Sequence, residues 1–302
     1  MKKWMTVLGT AAAMTAAAGL YVSNRVLYMK KKDEQLIYKR EVDAKRLDIE
    51  AYEQLPKEEV WIQSPFGYRL KAVFATPYPG RPYVIFCHGV TENKTNSIKY
   101  MNLFINRGFN GIIYDHRRHG ESEGVTTSYG HYEKYDLQAV VNELIRREGE
   151  HVSFGIHGES MGAATLLLYA GTIEDRASFY VADCPFSDFK EQMTHQMKRE
   201  IKIAPRFLIH LAEWMVARRD RFRLSEISPL QAVENIKKPI LFIHSEEDEF
   251  ILPDMTKELF HRKKGPKELY LAPEGGHAQS FNENPQQYEQ VIDHFLKHFD
   301  LQ

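Results

Sequence analysis

Gly158-Glu159-Ser160-Met161-Gly162 stands between an apolar stretch at 152–156 and a helix-forming run at 163–170. A chain that turns from strand to helix in so few residues leaves no room for side chains on either flank of the central residue. Glycine at both ends is then a steric requirement. Such a turn thrusts the serine hydroxyl out at a helix N-terminus. Gly and Ser are common, so the pentapeptide alone says little. Between a buried strand and a helix it predicts a nucleophilic serine at Ser160.

Short apolar runs surround this turn. Residues 83–87, 111–114, 152–156, 179–182, 239–243 and 268–271 form six of them, most followed by a helical stretch. Continuous apolar runs suit strands buried on both faces, and their alternation with helices predicts a parallel sheet. Ahead of them, residues 60–62, a turn at 65–67 and an alternating stretch at 68–75 predict an antiparallel hairpin. The spacing breaks once, at 185–238, where Phe207, Leu208, Leu211, Trp214 and Met215 follow helical periodicity. An insertion of that size is too long for a simple crossover. It is expected to be a lid over the carboxyl edge of the sheet, where α/β proteins bind ligands.

A serine hydroxyl attacks well only when a base takes its proton. Among thirteen histidines, His277 ends the glycine-flexed loop Glu274-Gly275-Gly276-His277 after the last apolar run, and is the expected base. His157 reads as packing, and His294 and His298 as solvated positions on the final amphipathic helix. The acid that orients the base is expected at Asp248, in the loop after 239–243, with Glu247 and Asp183 as alternatives. An oxyanion needs two backbone N–H donors. Met161, just after the nucleophile, is one, and Val90, in the loop His88-Gly89-Val90-Thr91, is the other. His88 itself reads as a structural hydrogen-bonding residue. No pair of histidines has H-E-x-x-H spacing, so zinc hydrolysis is not expected and no metal or cofactor is called for.

Composition excludes other classes. The 302 residues are 43% hydrophobic and 27% charged, with a formal net charge of -1. No basic excess marks a nucleic-acid partner. Cys87 and Cys184 lie in apolar runs and read as buried reduced thiols, too few for a disulfide scaffold. The uncharged run at 4–24 is long enough to cross a bilayer as a helix, which predicts a membrane anchor at residues 1–29. Arg25, Lys30, Lys31, Lys32, Lys39 and Arg40 outweigh Lys2 and Lys3, which predicts a cytoplasmic domain. The rival is a secretory signal cleaved near Ala16–Ala18. Residues 30–57 read as a charged, solvated helical stalk ended by Pro56, and 58–302 as the hydrolase domain. On this plan, removal of 1–29 leaves an active protein.

The pieces F-C-H-G at 86–89, Y-D-H-R-R-H-G-E-S at 114–122, G-x-S-x-G, S-E-E-D at 245–248 and G-G-H at 275–277 resemble the α/β-hydrolase superfamily. More narrowly they resemble its YqkD-like bacterial branch, near the serine aminopeptidase-type hydrolases. The chain order Ser160, Asp248, His277 matches the nucleophile–acid–base order of that superfamily. The likeness covers roughly residues 58–300. It implies an α/β-hydrolase fold: a mostly parallel eight-stranded sheet flanked by helices, with the helical lid after the sixth strand, and hydrolysis through an acyl-enzyme. Asp115 and Arg117 fall in a structural loop of such proteins. The expected activity is that of a carboxylesterase on short- to medium-chain acyl esters. A membrane-associated peptidase or acyl-protein thioesterase comes second, and an inactive interaction module third. A serine nucleophile speaks against epoxide hydrolases and dehalogenases, and the single Gly89 against esterases with a glycine run. A peptidase needs acids for the substrate amine, for which Glu191, Glu200 and Glu213 are the candidates.

Overall fold

The computed structural model describes residues 2–201 and 206–301, so residues 202–205 of the expected lid lie outside the described residues. One sheet organises the chain. Its strands are β1 (Lys57–Gln63), β2 (Arg69–Ala75), β3 (Tyr83–Cys87), β4 (Asn110–Tyr114), β5 (Phe154–Glu159), β6 (Phe179–Asp183), β7 (Ile240–Ser245) and β8 (Lys267–Ala272). They lie in the order β1-β2-β4-β3-β5-β6-β7-β8. The β1–β2 and β2–β4 pairs are antiparallel and all others parallel. Ile85 of β3 sits level with Ile112 of β4 and Ile156 of β5, so the middle of the sheet is apolar across three strands.

Helices carry the chain back between parallel strands and cover both faces. The first three, α1 (Lys2–Leu27), α2 (Glu34–Asp43) and α3 (Ile49–Gln54), precede the sheet. Next come α4 (Ile98–Ile105), α5 (Glu133–Glu148) and α6 (Met161–Thr172), the last starting directly after the serine turn. Between β6 and β7 lie α7 (Phe189–Ile201), α8 (Arg206–Asp220) and α9 (Pro229–Ala232). The chain ends with α10 (Pro253–Arg262), α11 (Ser280–Glu283) and α12 (Pro285–His298). Every residue of β3, β4, β6 and β7 is buried, because each strand presents alternate side chains to two helical layers. Tyr83, Ile85 and Cys87 face one core with α5 and α6; Val84 and Phe86 face the other with α4 and α12. On α12 the buried residues Tyr288, Ile292, Phe295 and Leu296 fall at one-turn and two-turn spacing, which is the stripe a surface helix turns inward.

The N-terminus differs from the expectation. Among the described residues no helix is long and apolar enough to cross a membrane. That overturns the reading of 1–29 as a membrane anchor, and with it the cytoplasmic placement of the domain by the charges flanking a membrane span. The reason lies in composition and packing. The run is largely Ala, Thr and Gly, which is long but weakly apolar, and its later turns lie against the protein. A Cβ on Gly19 would come 2.9 Å from Leu211, so α1 and α8 cross closely there. Arg219 of α8 donates to Ser23 Oγ at 2.6 Å and to Asn24 Oδ1 at 2.7 Å. Val26 and Leu27 are buried in a third cluster with Tyr129, Met161, Phe186 and Val216. The charged stretch after it also lies against the domain. Ile37 and Glu41 of α2 are buried, and Arg40 reaches Glu92 with both Nη atoms, at 3.0 and 2.9 Å.

Leu27 is wholly buried between α1 and the helices around the serine turn. Truncating it removes buried apolar contacts and leaves a cavity. Leu27→Ala is therefore expected to destabilise the protein by about 2–5 kcal/mol, read as a lowered midpoint in denaturant unfolding. An unchanged midpoint would show that α1 is not docked.

Candidate active site

Strand β5 continues to Glu159, so Ser160 emerges from its end without an intervening loop. Ser160 has φ 55° and ψ −114°, a region L-residues rarely adopt. Its N–H donates to the carbonyl of Asp183 at 2.8 Å, which pins the turn to the end of β6. The glycines are explained by their neighbours. A Cβ on Gly162 would lie 2.0 Å from the Cys87 carbonyl oxygen, and one on Gly158 2.5 Å from the backbone of Gly162. A Cβ on Gly89 would stand 3.0 Å from Glu159 and 3.5 Å from Ser160 Cβ. Thr91, Cys184 and Ala278, in three loops around Ser160, also have positive φ.

The structure brings Ser160, His277 and Asp248 together. Ser160 Oγ lies 2.8 Å from His277 Nε2, and His277 Nδ1 lies 2.7 Å from Asp248 Oδ2. Nδ1 faces a carboxylate, so it carries the ring proton and leaves Nε2 free to accept from the serine hydroxyl. Asp248 is held at both oxygens. Oδ1 accepts from the N–H groups of Phe250 and Ile251, at 2.8 and 3.0 Å. Oδ2 also accepts from His244 Nε2 at 3.0 Å. Burial works against the charged carboxylate, but the hydrogen bonds from His244 and His277 outweigh it and hold Asp248 well below the usual carboxylate range.

His244 has no place in the expectations. It is fully buried on β7, one turn of chain before Asp248, and its Nδ1 meets the Thr256 hydroxyl at 2.6 Å. Its location at the end of a buried strand, four residues before the acid, was the available signal. The alternative acids do not reach the base. Asp183 accepts from Ser280 at 3.1 Å and Tyr288 at 3.2 Å, and Glu247 accepts from the Gly275 N–H at 3.1 Å.

Val90 and Met161 both line the cleft beside Ser160. Met161 is the first residue of α6, where an N–H has no acceptor within the helix. The Val90 loop is fixed by His88: its Nδ1 donates to the Gly89 carbonyl at 2.7 Å, and its Nε2 accepts from the His116 N–H at 3.0 Å. Burial pushes His88 down to about 4, which keeps the ring neutral for that arrangement. Asp115 accepts from the Lys94 N–H and ammonium and from the Glu121 N–H, and so ties its own loop together. Among the described residues, one cluster has ligand atoms close enough for a metal, Glu268, His294 and His298 on the β8–α12 surface. It includes none of the residues around Ser160.

Two hollows open on either side of Ser160. The first is an apolar cleft lined by Val22 and Met29 from the N-terminal segment, Phe186, Phe189 and Met193 after β6, and Ile251. The second, of about 480 Å³, is a chamber whose lining includes the charged and polar residues His277, Lys99, Arg46 and Gln279.

The pattern of the serine aminopeptidase (S33) family matches residues 79–229, and that of the PhoPQ-activated pathogenicity-related proteins matches residues 183–301. YqkD of Bacillus subtilis is 43% identical over 98% of this chain and 97% of its own. The chain belongs to the α/β-hydrolase superfamily. Its fold is shared with the esterase Pf2001 of Pyrococcus furiosus, with a TM-score of 0.67 at 23% identity over 83% of this chain and 96% of that one. The acylaminoacyl peptidase of Pyrococcus horikoshii shares it with a TM-score of 0.63 at 18% identity, over 83% of this chain and 42% of that one.

Beneath its serine turn the hydrolase buries two acids side by side at the ends of β5 and β6, Glu159 and Asp183. Glu159 accepts from Tyr100 at 2.7 Å and from Asn96 at 3.2 Å. Asp183 has weaker support. Burial, reinforced by the charge of Glu159, raises it to about 7. An acid raised on folding contributes stability below its unfolded value of about 3.9, and this is lost as pH rises through its folded value. Asp183→Asn removes the buried charge and keeps the shape. Its gain in thermal midpoint over wild type should be small at pH 4 and grow to a plateau above pH 7. A pH-independent difference would show that Asp183 does not titrate in this range.

Proposed function

We propose that the chain is a serine hydrolase, a carboxylesterase acting on short- to medium-chain acyl esters through Ser160, His277 and Asp248. The observation that carries it is the unbroken line of hydrogen bonds from the Ser160 hydroxyl to the Asp248 carboxylate, opening on an apolar cleft. Ser160 Oγ attacks the ester carbonyl carbon while its proton passes to His277 Nε2. The carbonyl oxygen takes up negative charge beside the Val90 and Met161 N–H groups. Asp248, held ionised by four donors, stabilises the imidazolium. As the carbonyl re-forms, the bond to the alcohol oxygen breaks and that oxygen takes the proton from His277. Water then repeats the sequence on the acyl-serine and releases the acid, for a net conversion of ester and water into acid and alcohol.

The acids around the cleft support an ester over a substrate with a free amine. Of the three candidates, Glu191 is exposed and outside the cleft lining, and Glu200 lines the cleft but is paired with both Nη atoms of Arg25 at 2.5 and 3.0 Å. Glu213 is held by Lys190 at 2.8 Å and by the Ser225 N–H.

A fluorophosphonate probe should label the wild-type chain and not Ser160→Ala, and that variant should lose on the order of 10⁶ in kcat on acyl esters. Asp248→Asn should lose roughly 10⁴, while Asp183→Asn and Glu247→Gln each keep more than about a tenth of activity. Undiminished labelling of Ser160→Ala would dismiss this nucleophile. A dead Asp183→Asn beside an active Asp248→Asn would move the acid to β6.

A further inference from the structure

His277 lines the second chamber, with its charged side chains, and it is absent from the lining of the apolar cleft. On the reading above, His277 gives its proton to the departing alcohol oxygen, so the alcohol portion of the substrate leaves on the chamber side and the acyl chain occupies the cleft. What the chamber recognises is therefore a property of the alcohol.

Charge in the chamber is not balanced by its own walls. Lys32 and Arg40 both pair with Glu92. Arg46 is engaged by Glu41, which lies behind it. The remaining acid, Glu159, is met by Tyr100 and Asn96. Lys99 of α4 is held more loosely. It is 5% exposed, its Nζ donates to Asn282 Oδ1 at 3.2 Å and lies 4.9 Å from the centre of the Tyr100 ring, and its ion pair with Glu159, at 3.8 Å, is longer than a hydrogen bond. An ammonium has three donors, and leaving two of them without an acceptor in a buried site is costly. Arg46 adds Nη1, which makes no bond to Glu41, and Gln279, whose Oε1 accepts from Asn282, adds its amide N–H groups.

We propose that the chamber binds an anionic group, a carboxylate or phosphate, carried on the alcohol portion of the substrate, with the Lys99 ammonium as its main contact. The enzyme is then an esterase for acyl esters of anionic alcohols. The inference rests on the acyl-transfer reading and goes beyond it. Departure is balanced: the alcohol oxygen leaves carbon with the bonding pair, takes its proton from His277, and the anionic group keeps its charge throughout.

The test uses the full chain and two matched pairs of butyrate esters. One pair has 4-hydroxybenzoate or its methyl ester as the alcohol, and the other has glycerol 3-phosphate or glycerol. In at least one pair the anionic ester should have the higher kcat/KM by about tenfold or more, a difference of about 1.4 kcal/mol. The pair that shows it distinguishes carboxylate from phosphate. Lys99→Met should bring that ratio to near one, and Lys99→Arg should retain it. A wild-type ratio near one in both pairs overturns the anion site and leaves the esterase reading standing. So does a Lys99→Met variant in which both rates fall in proportion. Absence of turnover on all four esters, together with absence of probe labelling at Ser160, removes the underlying reading and this inference with it. Should Lys99→Met fail to fold, competition on the wild-type chain decides. The free anionic alcohol of the preferred pair must inhibit neutral-ester hydrolysis at least about tenfold more strongly than its neutral partner, and equal inhibition overturns the site.

Discussion

Helix α6 begins so close to β3 that a single methyl group at residue 162 would press on the Cys87 carbonyl at 2.0 Å. That approach sets the position of everything around it. It forces Ser160 into its strained backbone, and the Asp183 carbonyl holds the turn there through the Ser160 N–H. It also puts the start of α6 beside the Gly89–Val90 loop, so Ser160, Val90 and Met161 line one cleft. The energy that sustains the strain comes from the sheet: β3, β5 and β6 are buried along their whole lengths, and a packed core has no continuous way to relax.

A second tier of polar contacts keeps the chemistry in register. Asp248 would be a poor anion in its buried loop without two imidazoles and two backbone donors. Those same bonds remove its freedom to turn away from His277. His244 does for Asp248 what Asp248 does for His277: it is locked at its far nitrogen, by Thr256, and oriented at its near one. Glu159 and Asp183 sit below Ser160 as a buried pair, in which burial and the charge of Glu159 work against an ionised Asp183. The hydroxyls of Tyr100, Tyr288 and Ser280 are arranged to limit that conflict.

Much of this was legible in the sequence because it depends on local order along the chain. Buried parallel strands are unbroken apolar runs, and residues that follow them necessarily collect at one edge of the sheet. Ser160, Asp248 and His277 each follow such a run, and they stand within hydrogen-bonding reach of one another. What escaped was long-range pairing. The run at 4–24 has the length of a membrane span, and nothing within it reveals that its last turns meet α8 nearly two hundred residues later. The charges at 30–57 look solvated because their partners, such as Glu92 for Arg40, are 52 residues away. His244 shows in the sequence only as a histidine at a strand end, four residues before Asp248, and its bond to that carboxylate is a matter of folding.

Contact between α1 and α8 has a consequence for how the chain comes into being. Arg219 and Ser23 are separated by 196 positions. At about 5–20 residues per second of synthesis, the first helix leaves the ribosome roughly 10 to 40 s before its partner does. Throughout that interval the core that Val26 and Leu27 enter is incomplete, because it also takes in Phe222, Leu224 and Ile251. The cleft, which takes one wall from the N-terminal segment and another from the residues after β6, can close only after most of the polypeptide has been made. Docking of α1 on α8 is thus a late step in the making of the fold, although α1 is synthesised long before α8.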